Sequence, residues 1–341
     1  MKKMAMVFLL LSLFLFPLGL PPAELQAAAP YYQGKVLCII VSHAPGGGYD
    51  RMARLVARHL PKYIPGKPAV IVKQMGGAHV IAANYTYNQA KPDGLTITAL
   101  DRGLGTRQLL QMDGVKYNLT KFAWIGNVAS EPNALHLTTK LPYKTFNDLL
   151  KAKEKKLYLS ASGFGSYTAT IPLLMRDYLG INIEIVTYPE GAASMMLAIE
   201  RGEVQGHYAS YSTYRPLIDR GVVRSLIRGR APAGVPEFDN LPVIDDLITD
   251  KKAKGVLQLF SAVELLARPF VAPPGTPSHV MKILRDAFAN VSKDKDLLAE
   301  VKKQRMEYGF TSAEESLKVV NAYMQSPPEV VQAFKKYESD K

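Results

Sequence analysis

Two glycine-rich segments contain the residues whose types and spacing best fit small-molecule binding. The first segment, Pro45-Gly46-Gly47-Gly48-Tyr49, follows an apolar run and precedes a helical pattern that opens with Asp50. Glycines without a Cβ let the backbone approach a ligand closely, and the amide groups at a helix start are unpaired donors. The segment therefore predicts an anion-binding loop.

The usual phosphate motifs do not match this first segment. A nucleotide P-loop ends in Gly-Lys-Ser/Thr, whereas Gly48 is followed by Tyr49 and Asp50. The dinucleotide fingerprint that starts at Gly46 would require its third glycine at position 51, which is Arg51. Because a carboxylate facing the loop would repel an anion, we expect Asp50 to cap the helix or to pair with its positive end.

The second segment runs from Ser160 to Thr168 with the sequence SASGFGSYT. Its hydroxyl groups and glycines offer many uncharged donors before a helix start, which suits a carboxylate better than a doubly charged phosphate. The alternative, that Ser166 and Thr168 only cap their helix, stays open. A third strand end enters a helix at Gly191-Ala192.

The histidines do not form a local metal motif. No two of them are three or four residues apart, and the chain has a single cysteine, so we expect no metal and no cofactor. A catalytic triad assembled from distant residues stays open as an alternative. His43 ends the first predicted strand beside the glycine loop, where it either contacts a ligand or packs.

The elements that position these loops alternate between strands and helices. Apolar runs predict strands at 35–42, 69–73 and 95–100, with helices at 50–60 and 79–89 between them. A second set of the same kind follows from 157, including a helix from Ala169 that has Pro172 in its first turn. This alternation predicts an α/β fold with doubly wound sheets, in which ligands bind at the carboxyl ends of the strands.

The chain of 341 residues is long enough for two domains. Residues 1–29 combine two lysines, a short apolar run and three consecutive alanines at the end, which predicts a cleaved secretory signal peptide and export to the periplasm.

The single cysteine, Cys38, lies in an apolar run and cannot form an intramolecular disulfide. A net charge of +12 weakly favours an anionic ligand, whereas export and the dispersed basic residues argue against nucleic acid.

An ordered series of short motifs resembles one receptor family over nearly the whole mature chain. The series consists of Pro45–Asp50, Lys91–Gly94, Trp124–Gly126, Gly163–Ser166, Tyr188–Ala192 and Ala272–Pro277. In this order and spacing it resembles the solute receptors of tripartite tricarboxylate transporters, the Bug-type binding proteins.

The resemblance implies a periplasmic binding protein without enzymatic activity, built as a two-lobed, type II-like Venus flytrap. Each lobe is expected to be a doubly wound, mainly parallel sheet, and two hinge crossings join the lobes. The protein is expected to be a monomer that captures a small carboxylate (a di- or tricarboxylate, or an aromatic or amino-acid carboxylate) and delivers it to a membrane permease. The first lobe is expected to comprise residues 30–130 plus 255–341, and the second 131–254.

The expected ligand-binding residues lie in the strand-end loops, with positions 130 and 133 carried over from the family near the lobe crossing. They are His43, Pro45, Gly46, Gly47, Gly48, Tyr49, Ser130, Asn133, Ser162, Gly163, Gly165, Ser166, Tyr167, Gly191, Ala192 and Tyr208.

This sequence departs from the family pattern at three positions. His43 replaces an aromatic residue, Tyr49 replaces a small hydroxyl residue, and Thr170 stands where histidine is frequent. These departures leave the ligand identity open. Two other functions also stay open, namely an exported α/β hydrolase or lyase that acts on a carboxylate, and a basic cell-surface adhesion module.

Overall fold

The structure is a computed structural model that describes residues 29–43, 45–76, 79–152, 154–188, 191–304 and 306–337. The predicted signal peptide, apart from its last residue, lies outside the described residues. Within these ranges no helix combines the length and apolar character needed to cross a membrane.

Eleven strands form within the described residues. In chain order they are β1 (Val36–Val41), β2 (Ala69–Gln74), β3 (Thr96–Ala99), β4 (Ala123–Asn127), β5 (Asn133–Thr138), β6 (Leu157–Ala161), β7 (Ile183–Thr187), β8 (Gly206–Ser210), β9 (Val223–Arg228), β10 (Pro269–Ala272) and β11 (Thr311–Ser312).

Fourteen α-helices accompany them in the same ranges, together with 3-10 turns at Leu60–Tyr63 and Leu119–Lys121. The helices are α1 (Gly48–His59), α2 (His79–Asn88), α3 (Leu104–Leu109), α4 (Phe146–Lys151), α5 (Tyr167–Leu179), α6 (Ala192–Arg201), α7 (Tyr211–Asp219), α8 (Pro236–Asp239), α9 (Ile244–Leu247), α10 (Lys251–Leu265), α11 (Ser278–Val291), α12 (Lys295–Lys303), α13 (Ala313–Met324) and α14 (Pro328–Lys335).

The first sheet has the strand order β11-β4-β10-β3-β1-β2. Strand β1 pairs in parallel with β2 and β3, whereas β10 runs antiparallel to β3 and β4. The amino end of β10 therefore lies beside the carboxyl end of β3, where the Leu100 amide donates to the Pro269 carbonyl at 2.9 Å. Strand β1 is apolar because it lies between two neighbouring strands under helices.

The second sheet has the order β7-β6-β8-β5-β9. Strand β6 pairs in parallel with β7 and β8, and only β5 is reversed relative to its neighbours. Two mixed, mainly parallel sheets with helices confirm the predicted α/β fold class.

Each sheet has its own hydrophobic core. In the first, Phe270 and Phe288 pack against β1 and α1, and in the second, Leu159 and Leu174 pack with α10 and α14. The chain passes between the sheets at 128–132 and at 266–268, and it passes again where α13 leads into α14. Helices α10 and α14 bury Val256 and Phe334 in the second core, whereas the expected lobe boundary at 254/255 assigns both residues to the first lobe. That boundary stays a prediction.

Helix α5 begins two residues earlier than the sequence predicts. Ser166 is its N-cap and Tyr167 its first residue, so Pro172 lies inside the helix and not in its first turn. A capping box begins helix α13, since Ser312 and Glu315 each accept a hydrogen bond from the other's backbone amide.

Candidate functional site

The first glycine loop is held in place by Asp50. The Gly46 amide donates to Asp50 Oδ2 at 2.8 Å, and Gly46 adopts a φ of 81°, which favours glycine. Arg54 Nε lies 3.0 Å from the same carboxylate. Burial opposes ionisation, but the hydrogen bonds from Arg54 and from the Gly46 amide hold the pKa of Asp50 below its ordinary value. The Asp50 carboxylate therefore holds the shape of the loop by accepting a hydrogen bond from the loop's backbone.

Arg268 packs under the start of helix α1. A Cβ on Gly48 would lie 2.8 Å from Arg268 Nη2, so only glycine lets the guanidinium approach the helix start this closely. The guanidinium lies 5.7 Å from the centre of the Tyr49 ring and 4.0 Å from Glu307. Burial lowers the pKa of Arg268, and its Nε has no hydrogen-bond partner within the described part of the chain.

Arg102 joins the two lobes from the loop after β3. Its backbone amide donates to the Tyr49 hydroxyl at 3.0 Å, and that hydroxyl donates to the Ala267 carbonyl at 2.8 Å. The guanidinium pairs with Glu131 from the first crossing and lies 5.0 Å from the ring centre of Tyr167. The side chain is 20% exposed. Arg102 thus connects the starts of helices α1 and α5.

The second loop uses its hydroxyl groups for its own fold. Ser166 Oγ donates to the Gly163 carbonyl at 2.5 Å, and Thr168 Oγ1 lies within 3.1 Å of the hydroxyls of Ser162 and Ser166. Ser166 makes no side-chain capping bond to α5. The Gly165 amide donates to the Tyr337 carbonyl at 2.7 Å. Tyr167 is the residue of this loop that reaches Arg102.

Tyr208 and Asn133 lie beneath the loops and share a buried glutamate. Asn133 Nδ2 donates to Glu264 Oε1 at 3.0 Å, and the Tyr208 hydroxyl lies 3.5 Å from the same oxygen. Tyr208 and Asn133 are each 1% exposed. Burial raises the pKa of Glu264 to about 7, against the lowering effect of the Asn133 and Ala231 hydrogen bonds. The Tyr167 and Tyr208 rings meet edge to face at 6.5 Å and so link Glu264 to Arg102.

Other predicted residues lie apart from this cluster in the contacts of the described residues. The Ser130 hydroxyl donates to the Tyr308 carbonyl at 3.3 Å, on the side of the C-terminal segment. Gly191 is the N-cap of helix α6 with a φ of 103°, and its carbonyl accepts a hydrogen bond from the Ser194 hydroxyl, while Ala192 is the first residue of the helix. Pro45 and Gly47 are exposed beside Gly46.

His43 stacks between two rings beside the glycine loop. Its ring centre lies 3.8 Å from that of Tyr49 and 4.1 Å from that of His79. Its Nε2 is 3.2 Å from Asp101 Oδ2. Although burial opposes ionisation, the hydrogen bond from His43 and the proximity of His79 hold the pKa of Asp101 below its ordinary value.

Sequence reasoning missed several charged residues that the fold brings to this place. The strand-end rule could have found Asp101 and Arg102, because they directly follow the third predicted strand. Arg268 precedes β10 and reaches the same edge only because that strand is antiparallel. No short motif or strand end in the sequence indicates the remaining residues, which are His79, Glu131, Glu264 and Glu307.

Three comparisons place the chain among known proteins. The sequence profile of the TctC family, the tripartite tricarboxylate transporter family receptor, matches residues 52–335. A UPF0065 protein of Bordetella pertussis is 26% identical over 273 residues, which cover 79% of this chain and 80% of the relative.

Solved structures agree in fold. A TctC solute binding protein from Polaromonas, solved without ligand, matches with a TM-score of 0.72 at 19% identity, over 89% of this chain and 99% of that one. An R. palustris protein solved with adipate matches with a TM-score of 0.62 at 22% identity, over 89% and 98%. Because the profile covers most of the sequence, the chain belongs to the tripartite tricarboxylate transporter receptor (TctC) family.

Proposed function

We propose that this protein is a periplasmic receptor that captures a small carboxylate between its lobes and delivers it, chemically unchanged, to a tripartite tricarboxylate transporter permease. Membership of the TctC family and the adipate bound to the R. palustris relative support a carboxylate ligand. The predicted signal peptide supports the periplasm. We further propose that the receptor acts as a monomer.

The observation that carries the proposal is a pair of arginines that both contact Tyr49, Arg102 through its backbone amide and Arg268 through its guanidinium. Arg102 and Arg268 come from different parts of the first lobe, and both are mostly buried, with side chains 20% and 12% exposed. A guanidinium offers five hydrogen-bond donors. Arg102 uses part of this set to pair with Glu131, whereas Arg268 Nε has no hydrogen-bond partner within the described ranges. A carboxylate supplies the acceptors that such donors require.

The magnitudes of these interactions suit a micromolar receptor. A dissociation constant near 1 μM corresponds to about 8 kcal/mol. A hydrogen bond that involves a charged group contributes about 1.5–3 kcal/mol, and a helix start adds roughly 0.3–1 kcal/mol. The N-cap residues of helices α1 and α5, Gly47 and Ser166, make no side-chain capping bond, which leaves the first amides of both helices available. Two arginines and two helix starts together contribute about 4–8 kcal/mol, which reaches the required value at its upper end, whereas a single loop does not.

A binding screen on the purified protein tests the proposal. Di-, tri- and aromatic carboxylates are compared by thermal shift with the corresponding neutral amides, and bound ligands are followed by NMR for chemical change. We expect at least one carboxylate to raise the melting temperature, no effect of its amide, and no turnover. Stabilisation by the amides as well would contradict recognition of the negative charge.

A matched pair of variants connects the binding to the site. Arg268→Gln removes a donor beside Gly48, and Arg51→Gln removes an exposed arginine from the same helix start. We expect Arg268→Gln to weaken carboxylate binding at least about 10-fold, in line with the loss of one charged hydrogen bond, while Arg51→Gln binds like the wild type. Equal affinities in both variants would place the ligand elsewhere.

The hydrolase or lyase alternative gains one observation from the fold. His43 and Asp101 form an acid–base pair, which the sequence alone did not assemble. Chemical conversion of a bound carboxylate in the NMR experiment would favour this second function over the receptor.

A further inference from the structure

Three potential metal ligands from separate elements meet in the first lobe. His43 follows β1, Asp101 follows β3, and His79 is the first residue of α2. One ligand atom from each of these residues lies within 4.8 Å of the others. The sequence predicts no metal site because its histidines have no local spacing, whereas the sheet brings two of them to one carboxylate.

Hydrogen bonds to residues outside the cluster occupy one ligand atom of His79 and one of Asp101 and leave the second atom of each available. Ser42 Oγ lies 3.1 Å from His79 Nδ1, which leaves its Nε2 available as a ligand. The Gly103 amide donates to Asp101 Oδ1 at 2.8 Å, so Asp101 Oδ2 faces His43. Outer hydrogen bonds of this kind orient metal ligands and fix the histidine tautomer.

His43 supplies an independent indication of a missing partner. Its Nδ1 is buried and has no hydrogen-bond partner among the described residues. A buried polar atom normally has such a partner, and an ordered water or an ion supplies it where the protein does not.

We propose that His43, His79 and Asp101 bind one divalent first-row transition-metal ion of the Zn²⁺ or Co²⁺ type. Two imidazoles and one carboxylate suit such ions, whereas Mg²⁺ and Ca²⁺ take oxygen ligands. Three protein ligands leave at least one coordination position for water or another oxygen donor. This inference goes beyond the proposed receptor function and does not depend on it.

Binding requires a small rearrangement of the side chains. Ligand atoms on a tetrahedral ion with bonds of about 2.0–2.1 Å lie about 3.3 Å apart, so each separation in the cluster contracts by at most about 1.5 Å. The two imidazole rings are stacked at an interplanar angle of 19°. Ion binding rotates the His43 ring out of this stack, so that one nitrogen of His43 and one nitrogen of His79 face the ion.

Titration of Co²⁺ into the protein, stripped of metal and carrying no histidine tag, tests this inference without any carboxylate. We expect visible absorption bands that saturate at about one equivalent of Co²⁺. Added Zn²⁺ should displace the Co²⁺ and remove these bands. His79→Gln and Asp101→Asn should each weaken binding at least about 10-fold. The control His279→Gln, on an exposed residue of α11, should bind like the wild type.

Two results would overturn the site: no saturable band in the wild type, or variants that titrate like it. Because a variant can fail to fold, circular dichroism in the presence of EDTA accompanies each titration. X-ray absorption of the Zn²⁺-loaded wild type gives a second measurement, in which fewer than two imidazole ligands contradict the assignment. Carboxylate binding in the metal-free protein is measured separately, so either proposal can fail alone.

Discussion

Replacement of Glu264 by glutamine tests the buried network under the loops. Burial raises the pKa of this carboxyl from 4.5 to about 7, so the folded protein keeps a proton that the unfolded chain releases in this pH range. The stability contribution of this proton is fully present below about pH 4.5 and is lost as pH rises through 7. Glutamine keeps the side-chain shape and does not titrate.

The magnitude follows from the two pKa values. At 1.36 kcal/mol per unit, the carboxyl contributes about 2–3 kcal/mol to the unfolding free energy at about pH 5 and nearly nothing at about pH 8. Between these conditions, the stability of the wild type relative to Glu264→Gln should therefore fall by about 2–3 kcal/mol. Glu264 is 6% exposed, so solvent screening reduces this value little.

Urea unfolding followed by Trp124 fluorescence measures the unfolding free energy of both proteins at each pH. Subtracting the two values cancels the contributions of the titratable groups that the wild type and the variant share. Glu329→Gln, on an exposed residue of α14, is the matched control and should show no such change. Parallel pH profiles for the wild type and Glu264→Gln would refute the assignment of a protonated, buried carboxyl.

Two further predictions concern the first glycine loop. Gly48→Ala places a Cβ 2.8 Å from Arg268 Nη2, the end of a flexible side chain, so the guanidinium should move away from the helix start and carboxylate binding should weaken at least about 10-fold. Gly76→Ala, whose Cβ meets no atom within 4 Å, should bind like the wild type, and equal affinities of the two variants would argue against the close approach of Arg268. Asp50→Asn should destabilise the protein by about 1.5–3 kcal/mol near neutral pH, and this difference should shrink as the pH falls towards the lowered pKa of Asp50. A difference that persists unchanged in acid would show that the charge of Asp50 is not the cause.

The sequence predicted the elements best where buried apolar runs are bounded by glycine or proline. Strand 95–100 corresponds to β3 at Thr96–Ala99, and helix 79–89 corresponds to α2 at His79–Asn88. Such runs reflect local burial, which one sequence records directly. Helix α5 begins at Tyr167, before the predicted Ala169, because the helix accommodates Pro172 in its interior and not in its first turn.

Only part of the charged site could be predicted in the same way. The strand-end rule applies to parallel strands, so it indicates the loops after β1 and β3 and says nothing about residues before an antiparallel strand such as β10. The partnership of Arg102 with Glu131, and that of Asn133 with Glu264, depend on how the crossings pack. Contacts between residues so distant in sequence leave no periodic signal.

The hydrogen bond between the Gly165 amide and the Tyr337 carbonyl has a practical consequence for work on this protein. Tyr337, the last residue that the structure describes, braces the second glycine loop, and both Lys336 and Tyr337 donate to Asp177 on helix α5. A bulky label attached at position 337 would therefore lie next to this loop. A small reporter dye near this position would detect a shift of α5, because such a shift would change the surroundings of the dye.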